Sequence, residues 1–137
     1  MVRKLTFGFA ILFGVVVAMG YVPQFIRIEG DQRLMFGLFQ ISLIDDITHG
    51  VTAIAALVAS LTSRKASLLF LTAFGFYYAL DAIFFLTYGF FNDKPYGADI
   101  LLNLPHVLIS TVMLGVVYWL APKVEPHPAQ ATAPRST

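Results

Sequence analysis

The sequence predicts an all-α integral membrane protein that folds as a four-helix up-down bundle. Hydrophobic residues make up 58% of the 137 residues, charged residues make up 12%, and the mean hydropathy is +0.75. A soluble globular domain carries about a quarter charged residues. Four separate stretches approach the roughly 20 apolar residues that a helix needs to cross about 30 Å of hydrocarbon. Low charge and four such stretches together indicate a membrane bundle.

The four predicted spans form a single domain over residues 1–121. They lie at about 5–22, 36–62, 66–91 and 98–121. The first span is uncharged, whereas the other three contain ionisable side chains. The connector before the second span is long enough to lie on the membrane surface. Residues 122–137 are rich in Pro, Ala and Thr, which predicts a disordered C-terminal tail.

The first span has a second interpretation, as a cleaved signal peptide. Arg3 and Lys4 precede its apolar run, which ends in a small-x-small pattern beginning at Ala18. Against cleavage, Ala10, Gly14 and Ala18 recur every four residues, as on a close-packed helix face. A discarded segment needs no such face, so we expect a retained helix.

The positions of the Lys and Arg residues predict that both termini are cytoplasmic. With the N-terminus inside, three of these residues lie in outer loops, namely Arg27, Arg33 and Lys94. The six on the cytoplasmic side are Arg3, Lys4, Arg64, Lys65, Lys123 and Arg135. Cytoplasmic loops of membrane proteins carry this excess of positive charge. We also expect Arg27 and Arg33 to contact lipid headgroups.

Composition excludes several classes of function. The formal net charge is +1 and no basic face is apparent, which argues against nucleic-acid binding. The absence of cysteine excludes disulfides, thiolate metal sites and cysteine nucleophiles. We find no Gly-rich phosphate loop and no Ser-centred elbow. Enzymatic activity therefore has little support in the sequence.

A weak internal repeat relates the second and fourth spans. An offset of 57 positions lays Asp46 and His49 over Asn103 and His106. The shared pattern is Asp or Asn, two residues, then His. It favours duplication of a helical hairpin, with both copies in the same orientation. Chance matching between two apolar segments is the alternative.

This layout resembles an uncharacterised family of small bacterial four-span membrane proteins, a domain of unknown function. That family has Asn-x-x-His at the start of the second span and again early in the fourth. Asp46 stands where the family pattern has Asn in the first copy, whereas Asn103 matches it in the second. The resemblance covers most of residues 5–121 and implies a membrane location without an established activity. We therefore expect a protein of a bacterial cytoplasmic (inner) membrane.

The polar side chains within the spans define a candidate ligand or proton site. At 1.5 Å per residue, His49, Asp81 and His106 all lie roughly 20–22 Å from the predicted cytoplasmic helix ends. The other candidates lie about a turn higher or share a helix face with these residues. The candidate site residues are Asp46, His49, Asp81, Asn103, His106, Tyr77 and Tyr78.

We expect these residues to share one chamber in the outer half of the membrane. The second and fourth helices of an up-down bundle are diagonal, so His49 and His106 are expected to face each other. No Lys or Arg lies within the spans, which leaves histidine as the only expected cationic partner for Asp46 and Asp81. The alternative is purely structural, with each histidine satisfied by its own helix through the i,i+3 pairs.

Several functions remain open at this point. The first is proton- or ion-linked transport or relay through Asp46, His49, Asp81 and His106, because such groups tune one another near neutral pH. The second is binding of haem b or a divalent metal through His49 and His106. The third is acid–base catalysis on a lipid-like substrate, and the fourth is a non-catalytic accessory subunit. Besides the lipid bilayer, the expected partners are a second copy or a larger membrane complex, and no nucleic acid.

Overall fold

The chain folds into four long helices, with a small β-sheet between the first two. The computed structural model describes residues 1–91 and 96–124, and the side chains of residues 1–87 and 102–122. The long helices are α1 (Val2–Met19), α2 (Leu43–Thr62), α3 (Arg64–Phe91) and α4 (Tyr96–Gly115). All four contain a segment long and apolar enough to cross a membrane. The helical fold and the four predicted spans are confirmed at this level.

The connector between α1 and α2 forms an antiparallel meander that the sequence analysis did not predict. Its strands are β1 (Ile26–Glu29), β2 (Gln32–Met35) and β3 (Phe39–Ile41), paired in that order. A short 3-10 turn, Pro23–Phe25, precedes them. The β1–β2 turn depends on Gly30, whose φ of +59° suits a tight hairpin.

The meander shortens the second span relative to the prediction. α2 begins at Leu43, not near residue 36, so the predicted boundary is wrong. Phe36 and Gly37 have φ values of +55° and +70°, which a right-handed helix excludes. Ser42 and Asp45 then start α2 as a capping box, in which each side chain bonds the backbone N–H of the other residue. A cap of this kind stabilises a helix by about 1 kcal/mol.

The helices pack as two closely associated pairs, α1 with α2 and α3 with α4. Across the bundle, α1 approaches α3 more closely than α2 approaches α4. The core side chains come from all four long helices. The largest of them, Phe13, Leu71, Tyr78 and Met113, come from α1, α3 and α4 and are at most 1% exposed. The α1–α3 approach therefore decides what occupies the centre of the bundle.

The buried face of α1 is not the face that the small residues predicted. Its buried residues are Val2, Thr6, Phe9, Ala10 and Phe13, whereas Gly14 and Ala18 are exposed. A Cβ added at Gly14 would meet nothing within 4 Å. Large side chains fill the space toward α2 and α3, so the prediction of a close-packed Gly14–Ala18 face within the chain is wrong.

Close packing against a small residue occurs instead between α3 and α4, at Gly75. A Cβ at Gly75 would lie 2.8 Å from Cδ2 of Leu114 and 3.2 Å from Cβ of Met113. Beyond Gly115, α4 continues as a π-helical turn (Val116–Leu120) and then as α5 (Ala121–Val124). Helix thus continues three residues past the predicted end of the fourth span. The rest of the predicted tail lies outside the described residues.

Candidate functional site

The central feature of the site is a contact between a carboxylate and an imidazole on neighbouring helices. Oδ2 of Asp81 in α3 lies 2.9 Å from Nδ1 of His106 in α4. The carboxylate oxygen is not in line with an N–H bond at Nδ1, so this nitrogen makes no hydrogen bond of good geometry in the structure. Each side chain is about a quarter exposed, at 25% for Asp81 and 26% for His106. The predicted meeting of Asp81 and His106 is thus observed.

Tyr78 connects this pair to the other two helices. It is 1% exposed, and its ring lies 5.5 Å from the His106 ring and 5.4 Å from the Phe13 ring, measured between centroids. Its hydroxyl lies 3.2 Å from Oγ1 of Thr52 in α2. Phe13 comes from α1 and His106 from α4, so a single tyrosine on α3 contacts side chains of all three other helices.

The hydrogen-bond donor at Tyr78 follows from the bonding of Thr52. The Thr52 hydroxyl donates to the carbonyl oxygen of Thr48, at 2.7 Å. Because a hydroxyl has one proton, Thr52 can only accept at its contact with Tyr78, and Tyr78 is the donor. This bond holds the Tyr78 ring against His106. Tyr78 is therefore fixed by Thr52 on one side and packs on the imidazole on the other.

His49 approaches the centre from α2 and stacks on Phe13, with ring centroids 5.8 Å apart. The series of rings is His49, Phe13, Tyr78 and His106, and successive planes differ by 10° to 31°. The two imidazoles are linked through aromatic rings, and not through direct ring-to-ring contact as expected from the diagonal arrangement. His49 nevertheless lies within electrostatic reach of His106, Asp45 and Asp46.

Asp46 has an arginine partner, contrary to the expectation that histidine was its only cationic mate. Nη1 of Arg33, on β2, donates to Oδ2 of Asp46 at 3.1 Å, and Asp46 is 8% exposed. Nη2 of the same guanidinium donates to the carbonyl oxygen of Gly20 at 2.6 Å. The connector folds back as a sheet, which brings β2 against the start of α2. Arg33 therefore has partners within the protein that the sequence did not predict, and its contact with lipid headgroups stays a prediction.

Tyr21 and Gly20 complete this second polar centre, which lies at the C-terminal end of α1. Hydrogen bonding to the Asp46 carboxylate, with its negative charge, raises the pKa of Tyr21, which is an exposed residue outside the helices. The Arg33 guanidinium lies 5.4 Å from the centroid of the Tyr21 ring. A Cβ at Gly20 would lie 3.3 Å from Oδ1 of Asp46, so the close approach of α1 and α2 favours glycine there.

The remaining candidate residues have separate environments. Asn103 is buried, at 7% exposed, three residues before His106 on α4. Tyr77 is 46% exposed, and its ring contacts those of Phe74 and Tyr78 edge-on. Asp81, Tyr78 and His106 are brought together, whereas Asp46 belongs to the centre formed with Arg33.

The arrangement gives little support to haem or metal binding. Among residues 1–87 and 102–122, no three His, Asp or Glu side chains lie close enough to hold a metal ion. A bis-histidine haem needs a flat cavity between its two axial imidazoles. The nearly fully buried rings of Phe13 and Tyr78 instead lie along the connection between His49 and His106. Within the part of the chain whose side chains the structure describes, the donor set does not fit either group.

Sequence reasoning missed Arg33, Thr52 and Phe13 as parts of these centres. Thr52 lies three residues after His49, on the same side of α2, and that spacing was a usable signal. Phe13 had none beyond its apolar character. Arg33 stands in an alternating segment with a Gly-Asp turn, which is a strand signal that was available.

Comparisons with known proteins add no relative. No protein-family model matches the chain, and neither the curated proteins nor the solved structures contain a significant match. The resemblance to the four-span family therefore stays a prediction.

Proposed function

We propose that this chain is a small integral membrane protein that binds and releases a proton at the Asp81–His106 pair, as part of proton- or ion-linked transport or relay. The observation that carries the proposal is the 2.9 Å separation of the carboxylate and imidazole within helices apolar enough to cross a membrane. Both groups change charge by exchanging one proton, which makes the pair a unit of proton uptake and release.

The cost of charge in an apolar environment supports this role. With one shared proton, Asp81 and His106 together carry no net charge, whereas loss of that proton leaves a net negative charge. A net charge within the hydrocarbon layer is unfavourable, and the cost reaches a few kcal/mol for a group at the bilayer centre. Proton release at the pair is therefore favourable only with a compensating event, such as entry of water or a cation. This dependence is the physical basis of coupling.

The surroundings of the pair suggest how its protonation state is sensed. Tyr78 packs on His106 and is held by Thr52. Phe13 stacks on Tyr78 and also on His49. A change in the position of the His106 ring on protonation is transmitted to side chains on all four helices. Since four helices offer little space for a translocation path, we expect the working unit to be a homodimer.

Proton flux in liposomes tests the proposal. The full chain is reconstituted with a pH-sensitive dye inside, and a potassium diffusion potential set by valinomycin drives protons inward. We expect the wild type to acidify the interior, and Asp81→Asn and His106→Gln to slow this at least tenfold. Thr87→Val is the matched control, because Thr87 lies on the exposed face of α3 and bonds only carbonyls of its own helix.

Two results would overturn the proposal. One is unchanged flux in folded Asp81→Asn and His106→Gln proteins, with helicity and elution volume as the criteria for folding. The other is a wild-type flux equal to that of empty liposomes, which would favour the accessory-subunit hypothesis instead.

We further propose that the chain lies in a bacterial cytoplasmic membrane with both termini inside, on the basis of the Lys and Arg distribution. The absence of cysteine makes the test direct. Asp31→Cys, in the β1–β2 turn, should react with a membrane-impermeant maleimide on intact cells. Thr62→Cys, at the end of α2, should react only after the cells are opened. The reverse pattern would invert the proposed orientation.

A further inference from the structure

An open groove lies where α1 begins and α2 ends, away from the Asp81–His106 pair. Its volume is about 600 Å³. Asp81 is 17 residues beyond the start of α3 at Arg64, which places the pair roughly 25 Å along that helix from this end. The groove is lined by Met1, Arg3, Lys4, Phe7, Ser60 and Leu61.

Arg3 is held at the rim of the groove by the last carbonyls of α2. Its Nε donates to the carbonyl oxygen of Ser60 at 2.7 Å, and its Nη2 donates to that of Leu61 at 2.9 Å. These carbonyls lack partners within the helix, so the arginine both caps α2 and fixes its own position. The other terminal nitrogen, Nη1, is left available to bind an anion.

The two charged residues that line the groove, Arg3 and Lys4, are both cations. Lys4 is exposed beside Arg3, and Arg64 and Lys65 follow α2 directly. The sequence has no Asp or Glu before Glu29 and none between Asp46 and Asp81. None of the residues that line the groove is acidic, while Phe7 and Leu61, at 43% and 64% exposed, present apolar surface.

We propose that this groove binds an anionic phospholipid of the surrounding bilayer. The phosphate lies at Arg3 and Lys4, and an acyl chain lies along Phe7 and Leu61. An amphiphile matches both parts of the surface, because the guanidinium and ammonium groups bind phosphate oxygens and the apolar walls bury a hydrocarbon chain. Basic pockets at the cytoplasmic ends of helices bind lipid headgroups by this chemistry. The site is separate from the proposed proton site and does not depend on it.

Lipid titration of the purified full chain tests this inference. The protein in a nonionic detergent is titrated with phosphatidylglycerol or phosphatidylcholine, and bound lipid is counted by native mass spectrometry. We expect phosphatidylglycerol to bind at least tenfold more tightly. Lys4→Gln should weaken it about fivefold, the change that corresponds to about 1 kcal/mol for one cation near anionic lipid. Phe7→Ala should weaken both lipids.

The matched control is Arg27→Gln. Arg27 is an exposed cation of β1 that pairs with Glu29, and β1 follows the end of α1 opposite to the groove. This variant should leave phosphatidylglycerol binding unchanged. Equal binding of the two lipids, or equal losses in Lys4→Gln and Arg27→Gln, would overturn the proposal by showing nonspecific attraction. Displacement of the lipid by millimolar inorganic phosphate would overturn it too, by indicating a site for the free anion.

Discussion

Arg33 and Asp46 form an ion pair that joins the β-meander to the first turn of α2, with Nη1 and Oδ2 separated by 3.1 Å. The carboxylate is 8% exposed, so the guanidinium is the partner that compensates for its removal from water. Arg33 also binds the carbonyl oxygen of Gly20, at the end of α1. One side chain therefore connects the sheet to two helices, and Asp46 stabilises the end of the bundle where α1 ends and α2 begins.

Breaking this ion pair should destabilise the protein strongly. Arg33→Met leaves the buried Asp46 carboxylate without its partner, and we expect a loss of about 2–3 kcal/mol in the free energy of unfolding. Arg33→Met with Asp46→Leu should cost less than the sum of the two single changes, since no unpaired charge remains. Unfolding in mixed micelles by increasing SDS measures this. Arg27→Gln, on the exposed Arg27–Glu29 pair, should change stability by less than about 0.5 kcal/mol. Strict additivity would contradict the assignment.

A side chain at Gly75 should separate α3 from α4. Gly75→Ala places a methyl group 2.8 Å from Leu114, and overpacking of this kind costs about 1–3 kcal/mol. Gly14→Ala, where a Cβ meets nothing within 4 Å, is the matched control and should be neutral or slightly stabilising. Thermal unfolding of both variants in the same detergent decides the matter. Equal melting temperatures for the two variants would contradict the close crossing.

The Tyr78–Thr52 hydrogen bond should contribute modestly to stability. Tyr78→Phe and Thr52→Val each remove it, and bonds between membrane helices average about 0.6 kcal/mol. The double variant should lose little more than either single one, because the same bond is removed. Tyr78→Phe should also slow proton flux in the liposome assay by loosening His106. Normal flux in Tyr78→Phe would show that the hydroxyl does not position the imidazole.

Ionisation of Tyr21 should respond to Asp46. The neutral phenol bonds the carboxylate, and a phenolate beside it would repel it, so the pKa of Tyr21 is raised above 10.0. A pKa raised on folding means that the contribution to stability is present below the unfolded pKa and is lost as the pH rises through the folded one. Absorbance of tyrosinate near pH 10, compared between wild type and Asp46→Asn, measures this. Asp46→Asn should titrate one tyrosine earlier; Tyr21→Phe should abolish that difference.

Much of the architecture could be predicted from local pattern. The number of long helices follows from apolar length, and the contact of Asp81 with His106 follows from comparable depth on α3 and α4. The meander was missed because apolar residues near 36–42 look the same in a helix and in a strand. Positive φ values at Phe36 and Gly37 prevent a helix from running through this segment. Contacts between distant residues, as well as the local sequence, determine these φ values.

The sequence by itself determined that this chain makes four membrane-length helices and places acidic groups and histidines within them, because composition and periodicity act over short stretches. Only the tertiary structure decided which partner each of these side chains received. Partner choice depends on how a connector folds back and which diagonal of the bundle closes. Asp46 thus pairs with Arg33 of the neighbouring sheet, and the rings of Phe13 and Tyr78 lie between His49 and His106.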